Sequence, residues 1–322
     1  MIILVTGAAG FIGSHLSRAL LAQNHIVVGM DNFDAFYSKT VKENNIKDLL
    51  LHPKFTFLEV DICQEYSHAF NQLLHYSFDV VVHLAAKAGV LSSVEDIDAY
   101  LKSNVLGTKN ILELMRKIGC GKMIFASSSS IYGNANEPPF RESGITDRPL
   151  TPYASSKKAC ELLTYNYHHI FNFDVLNLRL FTVYGSAQRP DLVIHKFAKL
   201  IHQNQPIRIF GDGNSMRDYT YVSDIVEGFV SAISYISCHT QVYENINLGN
   251  NKPIKLAEVV NQLYELMNKT PQIIYEKEQL GDMSVTCADI TKAQQILNYQ
   301  PRVSFQEGVK LFTNWFQAYL LT

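Results

Sequence analysis

The sequence predicts a doubly wound α/β protein, in which a parallel sheet is covered by helices on both faces and followed by a smaller C-terminal α/β domain. Three observations lead there. Short runs that are apolar throughout alternate with amphipathic stretches in the first half of the chain, a glycine-rich turn directly follows the first run, and this rhythm loosens after about residue 181. A strand buried on both faces shows no polar alternation, and a helix between successive strands carries the chain back to begin a parallel neighbour.

Taken in order, residues 2–6, 26–30, 55–60, 79–84, 122–126 and 175–180 read as strands, with helical patterns filling most of the gaps. Beyond them, Gly185, Pro190 and Gly211-Asp212-Gly213-Asn214 punctuate shorter elements. Helical periodicity returns at 224–236, 255–268 and 305–319. At roughly 150 residues per domain, a chain of 322 residues has room for two. The expected division places one domain at 1–180, joined by later segments at about 218–240 that pack back onto it, and the second at 181–322.

Charge and cysteine usage exclude several function classes. With 28 Lys and Arg against 30 Asp and Glu, the net charge of -2 exerts no general pull on nucleic acid or an anionic membrane. Lys157-Lys158 and the lysines at 252–255 are too few to form a nucleic-acid surface. No apolar run approaches the roughly 20 residues that span a bilayer. Cys63, Cys120, Cys160, Cys238 and Cys287 lie far apart, which suggests neither a zinc site nor a disulfide framework and suits a reducing compartment. The first strand already begins at Ile2 with no leader-like segment ahead of it, so a cytoplasmic location is expected. His15, His83, His168, His169 and His195 have no metal-binding spacing and read as structural or surface residues.

The first strand runs straight into Gly7-Ala8-Ala9-Gly10-Phe11-Ile12-Gly13, and the helix expected next carries Ile12, Leu16, Ala19 and Leu20. Glycine here permits a tight turn, a close approach of backbone to phosphate and close helix-to-strand packing, while the N–H groups and dipole of the helix start favour an anion. Asp31 ends the second strand about 20 residues on, where its carboxylate is placed to accept hydrogen bonds from adenosine ribose hydroxyls. Its charge would repel a 2′-phosphate. The pattern is that of a Rossmann domain that uses NAD rather than NADP.

Tyr153-Ala154-Ser155-Ser156-Lys157 opens a helix, with Pro152 suited to its first turn, and the spacing of four puts Tyr153 and Lys157 on one face. A phenol with a pKa near 10 is a poor base at neutral pH, but a nearby ammonium and a positive nicotinamide both favour its anion. Upstream, the strand at 122–126 delivers Ser127-Ser128-Ser129-Ser130 to the carboxyl edge of the sheet, the crevice where ligands bind in such folds. A serine hydroxyl there is placed to hydrogen-bond the oxygen that Tyr153 deprotonates.

The glycine turn, Asp31-Asn32, His83-Leu84-Ala85-Ala86, Asn104-Val105-Leu106-Gly107-Thr108, the serine run before Ile131-Tyr132-Gly133 and the segment from Tyr153 to Lys157 together resemble the extended short-chain dehydrogenase/reductase family across essentially the whole chain. The resemblance implies that Tyr153 is the acid/base, that Lys157 holds the nicotinamide ribose and lowers the tyrosine pKa, and that Ser128 completes the catalytic set. It also implies that Gly7, Gly10, Phe11, Ile12, Gly13, Asp31, Asn32, Asp61, Ile62, Leu84, Ala85, Ala86, Lys87 and Asn104 join Tyr153 and Lys157 around NAD. Ser129 and Ser130 would contact the sugar. Helices at 93–118 and 152–170 would form the seam of a homodimer.

Dehydratases and decarboxylases of this family usually carry an acidic residue just after the active-site hydroxyl residue, where this chain has Ser129 and Ser130. That difference favours epimerisation of a UDP-sugar through a 4-keto intermediate. Arg179-Leu180-Phe181-Thr182-Val183-Tyr184-Gly185, Gln188-Arg189-Pro190-Asp191, Asp31-Asn32-Phe33 with Tyr37 beyond, Lys87-Ala88-Gly89-Val90 and Gly281-Asp282-Met283 are similar to segments of UDP-glucuronate 4-epimerases. This resemblance implies that Thr182 and Arg189 lie near the sugar carboxylate, that Arg217 binds the pyrophosphate and that Asp282 lies in the substrate site. Holding the carboxylate has a chemical purpose, because a 4-keto uronate is a β-keto acid and can lose carbon dioxide. The alternatives are a 4-epimerase of UDP-glucose or UDP-N-acetylglucosamine, and a non-catalytic NAD-binding protein on the same fold.

Overall fold

The computed structural model describes residues 1–64, 68–277 and 283–320. Among them, a seven-stranded sheet is formed by β1 (Ile2–Thr6), β2 (Ile26–Asp31), β3 (Phe55–Glu59), β4 (Val80–His83), β5 (Lys122–Ser128), β6 (Asp174–Leu180) and β10 (Tyr243–Leu248). Its spatial order is 10-6-5-4-1-2-3, and every pairing is parallel. The six strands expected from the sequence are all present within a residue or two of their expected ends. β10 was not expected, and it lies beyond the segment at about 218–240 that was to return to this sheet.

Alternation along the strands divides the core between the two faces. Ile3, Val5, Val27, Val80, Val82 and Ile124 belong to one apolar cluster, while Leu4, Val28, Met30, Val81, Met123 and Phe125 belong to the other. Helices Phe11–Ala22 and Val222–Cys238 cover the first face and touch each other, and Gly107–Ile118 and Pro152–Phe171 cover the second. Because the strand order reverses between β1 and β4, their connecting segments diverge and leave a crevice at the carboxyl edge.

Two smaller sheets carry the rest. β11 (Pro253–Lys255) runs antiparallel to β9 (Met216–Tyr221), which is parallel to β7 (Thr182–Tyr184), and β12 (Ile273–Glu276) is parallel to β8 (Ile207–Phe210). The buried carboxylate of Asp218 accepts the N–H groups of Asn250 (2.7 Å), Asn251 (3.0 Å) and Ala288 (2.8 Å), tying two separate segments to β9. Among the described residues, no helix is long and apolar enough to cross a membrane.

Candidate active site

The glycine turn is as tight as its spacing implied. Gly7 has φ +71°, and a Cβ there would stand 2.9 Å from the Ala85 nitrogen. A Cβ on Gly13 would stand 2.1 Å from the Gly7 carbonyl oxygen, so helix Phe11–Ala22 starts against the backbone of the turn itself. Gly10 is the N-cap and offers no side-chain cap, which leaves the first N–H groups, at Phe11, Ile12 and Gly13, for an anion. A narrow glycine cradle with uncapped donors fits a pyrophosphate. Thr6, at the end of β1, accepts the N–H groups of Leu84 (3.1 Å) and Ala85 (3.0 Å) and pairs with His83 Nδ1 (2.7 Å), fastening the segment after β4 to the turn. Burial pushes the His83 imidazole down to about 3, so it stays neutral in this structural role.

Asp31 lies buried at the end of β2 and accepts the N–H groups of Ala9 (3.2 Å) and Phe33 (2.9 Å), with Lys42 Nζ at 3.8 Å. Burial raises its pKa, and the Lys42 charge works against that rise. Asn32 is exposed, and its side chain accepts the Asp34 N–H at 3.0 Å. After β3, the Asp61 carboxylate accepts the Cys63 N–H at 2.8 Å, while the Ile62 carbonyl accepts from Asn110 at 2.8 Å. After β4, Ala86 is half-buried, and Asn104 pairs with the Lys87 backbone in both directions, at 2.8 and 3.0 Å. Asn104 sits in a π-helical turn, Leu101–Leu106, and also donates to Ser156 Oγ at 2.9 Å. These bonds lock the cofactor edge to the helix that carries Tyr153.

That helix, Pro152–Phe171, starts cleanly because Thr151 Oγ1 accepts the Ala154 N–H at 3.3 Å and Pro152 occupies the first turn. The Tyr153 hydroxyl lies beside Ser128, the last residue of β5. Ser128 Oγ also accepts the N–H (3.2 Å) and the hydroxyl (3.0 Å) of Ser130, across a short 3₁₀ turn that contains Ser129. Burial pushes the Tyr153 phenol up, and the Ser128 hydroxyl followed by the Arg189 charge act in the opposite direction. Lys157 is buried, donates to the Ala126 carbonyl at 2.8 Å and lies over the Phe125 ring. Burial brings its own pKa down to about 8. The Lys157 ammonium is thus held at the same end of β5 that presents Ser128 to Tyr153.

At the other end of the crevice, Thr182 begins β7 and pairs in register with Tyr219 of β9, so Arg217, two residues earlier in β9, belongs to the same small sheet. Arg217 Nη1 donates to the Met216 carbonyl at 2.9 Å. Arg189 is 17% exposed and is held by Asp191 at 2.7 Å. Asp282 lies outside the described residues.

The profile of the GDP-mannose 4,6 dehydratase family matches residues 4–312. The chain belongs to this family, a branch of the extended short-chain dehydrogenases/reductases. Within it, the chain is similar to the UDP-glucuronate 4-epimerase of Thermodesulfobacterium geofontis, at 42% identity over 97% of this chain and 95% of that protein. It is also similar to the crystal structure of the Bacillus cereus UDP-glucuronic acid 4-epimerase in complex with UDP-glucuronic acid and NAD, with a TM-score of 0.93, 36% identity and coverage of 99% of this chain and 100% of that one. The UDP-glucose 4-epimerase of Thermotoga maritima with UDP-glucose follows at TM-score 0.88, with 30% identity and coverage of 99% and 100%.

This member of the GDP-mannose 4,6 dehydratase family also holds site residues that the sequence reading passed over. Lys42 faces Asp31, Thr6 organises the end of β4, and Ser156 anchors Asn104. Glu161 forms a two-point pair with Arg179, at 2.9 and 3.0 Å, while accepting the Ser127 hydroxyl at 2.7 Å beneath the serine turn. Three of these had a local signal: Thr6 ends the strand before the glycine turn, Ser156 lies inside the Tyr153–Lys157 segment, and Glu161 lies one helical turn beyond Lys157. Lys42 meets Asp31 from the helix that follows β2.

Proposed function

We propose that the chain is an NAD-dependent UDP-glucuronate 4-epimerase that interconverts UDP-glucuronate and UDP-galacturonate through a 4-keto intermediate. The observation that carries this reading is the convergence of Tyr153 and Ser128 at the carboxyl edge of the sheet, with the Lys157 ammonium held at the Ala126 carbonyl of the same strand and the Arg189 charge within reach. In this reading the glycine turn, Asp31 and the segment from Leu84 to Lys87 hold NAD, which supplies a reversible hydride acceptor when bound. Tyr153 takes the proton of the sugar 4-hydroxyl while Ser128 fixes that oxygen, and Tyr153 returns the proton once the sugar presents its other face. Thr182 and Arg189 restrain the carboxylate from the orientation that allows carbon dioxide to leave. Arg217 holds the pyrophosphate, and Ser129 and Ser130 line the sugar.

Two carboxylates near the serine turn support epimerisation over dehydration because both are committed elsewhere. Glu161 is paired with Arg179, and Glu142 accepts the Asn247 N–H at 2.8 Å. Residues 1–180 with the returning Val222–Cys238 helix are read as the NAD-binding part, and 181–322 as the nucleotide-sugar part. Exposed Val94, Ile97, Leu101 and Leu106, together with Leu162 and Ile170 on the neighbouring helix, support the seam of a homodimer. All five cysteines are free, which supports a cytoplasmic location.

The test supplies UDP-glucuronate and UDP-glucose separately and follows the anomeric proton by NMR. Expected is conversion of the uronate, abolished by Tyr153→Phe. Conversion of the neutral sugar alone would favour the UDP-glucose alternative, and turnover that survives Tyr153→Phe would remove the catalytic assignment.

A further inference from the structure

Two groups with no role assigned so far hold Arg189. Asp191 accepts from Nε at 3.0 Å and from Nη2 at 2.7 Å, so it occupies the side edge of the guanidinium. The end edge, formed by Nη1 and the second Nη2 proton, has no acceptor among the described residues. Across the plane, the guanidinium carbon lies 5.4 Å from the centroid of the Phe36 ring, and Lys87 Nζ lies 6.0 Å from the same centroid. Phe36 is itself fixed from the cofactor side. Asn32 accepts the Asp34 N–H at 3.0 Å, and Asp34 in turn accepts the Phe36 N–H at 2.9 Å and the Lys87 ammonium at 3.2 Å.

An arginine side chain has four rotatable bonds, and leaving it loose makes each productive hydrogen bond costly in entropy. A two-point carboxylate on one edge and an aromatic ring over the plane remove most of that freedom. The edge left over has the planar two-donor geometry that matches a second carboxylate. We propose that Asp191 and Phe36 are positioning residues that hold Arg189 with its end edge toward the sugar carboxylate, so that selection of a uronate over a neutral sugar depends on them as well as on Arg189. This rests on the uronate specificity given under Proposed function. Asp191 also places a negative charge beside the arginine, which by charge alone would weaken attraction for a uronate. Orientation and charge therefore predict opposite effects when it is removed.

The experiment measures dissociation constants of UDP-glucuronate and UDP-glucose by calorimetry on the NAD-loaded enzyme, for the natural protein and for Asp191→Asn, Asp191→Glu and Phe36→Leu. In Asp191→Asn the uronate is expected to weaken about tenfold, roughly the worth of one charge-assisted hydrogen bond, with a much smaller change for UDP-glucose. Phe36→Leu, a substitution on a ring that is 37% exposed, moves the ratio the same way, and Asp191→Glu recovers part of it. Tighter uronate binding in Asp191→Asn, or equal weakening of both sugars, overturns the assignment. If Asp191→Asn fails to fold, the Phe36→Leu ratio decides it alone. A natural protein that binds both sugars equally overturns the uronate specificity and this inference together, whereas a uronate-selective protein with unmoved variants overturns only the inference.

Discussion

Replacing Gly13 with alanine adds one methyl group at the closest backbone crossing of the cofactor turn. The new Cβ would stand 2.1 Å from the Gly7 oxygen, 2.9 Å from the Gly7 carbonyl carbon and 3.0 Å from the Ala8 Cα. All three are backbone atoms, so no flexible side chain can swing aside. Restoring an ordinary contact requires the helix start to retreat by more than about 1 Å in a close-packed interior. The fully buried Leu16 and Leu20 resist that movement, as does the Ser17 hydroxyl bound to the Gly13 carbonyl at 2.8 Å. Overpacking of this kind costs about 1–3 kcal/mol. A shift of about 1 Å in groups that must meet a ligand costs on the order of 100-fold. NAD titration by calorimetry and thermal melting check both effects, with Gly121→Ala as the control, since a Cβ on Gly121 meets nothing within 4 Å. A Gly13→Ala protein that binds NAD and melts like the Gly121→Ala protein would refute the reasoning.

Burial sets Lys157 at about 8, below its ordinary 10.5, so between those values the folded chain binds fewer protons than the unfolded one and stability rises with pH across that window. Activity is expected to run the other way, with kcat/KM falling above that lower value as the ammonium is lost, and a profile flat to pH ~10 would deny the charged lysine its role. Glu161→Ala leaves the buried Arg179 charge without its partner, and urea unfolding is expected to register a loss of about 3–5 kcal/mol; a loss below about 1 kcal/mol would mean that the pair can be dispensed with. Leu101→Glu combined with Leu162→Glu places charges on the exposed apolar stripe, and sedimentation velocity is expected to change from dimer to monomer with melting of the protomer little altered. A double variant that remains dimeric places the seam elsewhere.

Most of the sheet was legible because a parallel strand writes its burial into a few consecutive residues. β10 was missed because Glu244, Asn245 and Asn247 interrupt the apolar run that marked the other strands. Only folding makes Asn247 acceptable in the interior, where Tyr132 donates to it at 2.6 Å and it donates to the Phe140 carbonyl at 2.8 Å. The glycine turn and the Tyr153–Lys157 pair were likewise legible, since both depend on spacings of three or four residues.

What the chain's order of residues determined by itself was therefore local: strand and helix periods, the turn at Gly7–Gly10–Gly13, and the delivery of Ser128 and Tyr153 to the same edge of the sheet. The tertiary structure decided which charges face one another. Lys42 reaches Asp31, Lys157 turns to the Ala126 carbonyl, and Phe36 meets Arg189 from a loop more than 150 residues away in sequence. Such pairings leave no periodic trace, because each depends on how distant loops are set by the sheet beneath them rather than on the conformation of either segment alone.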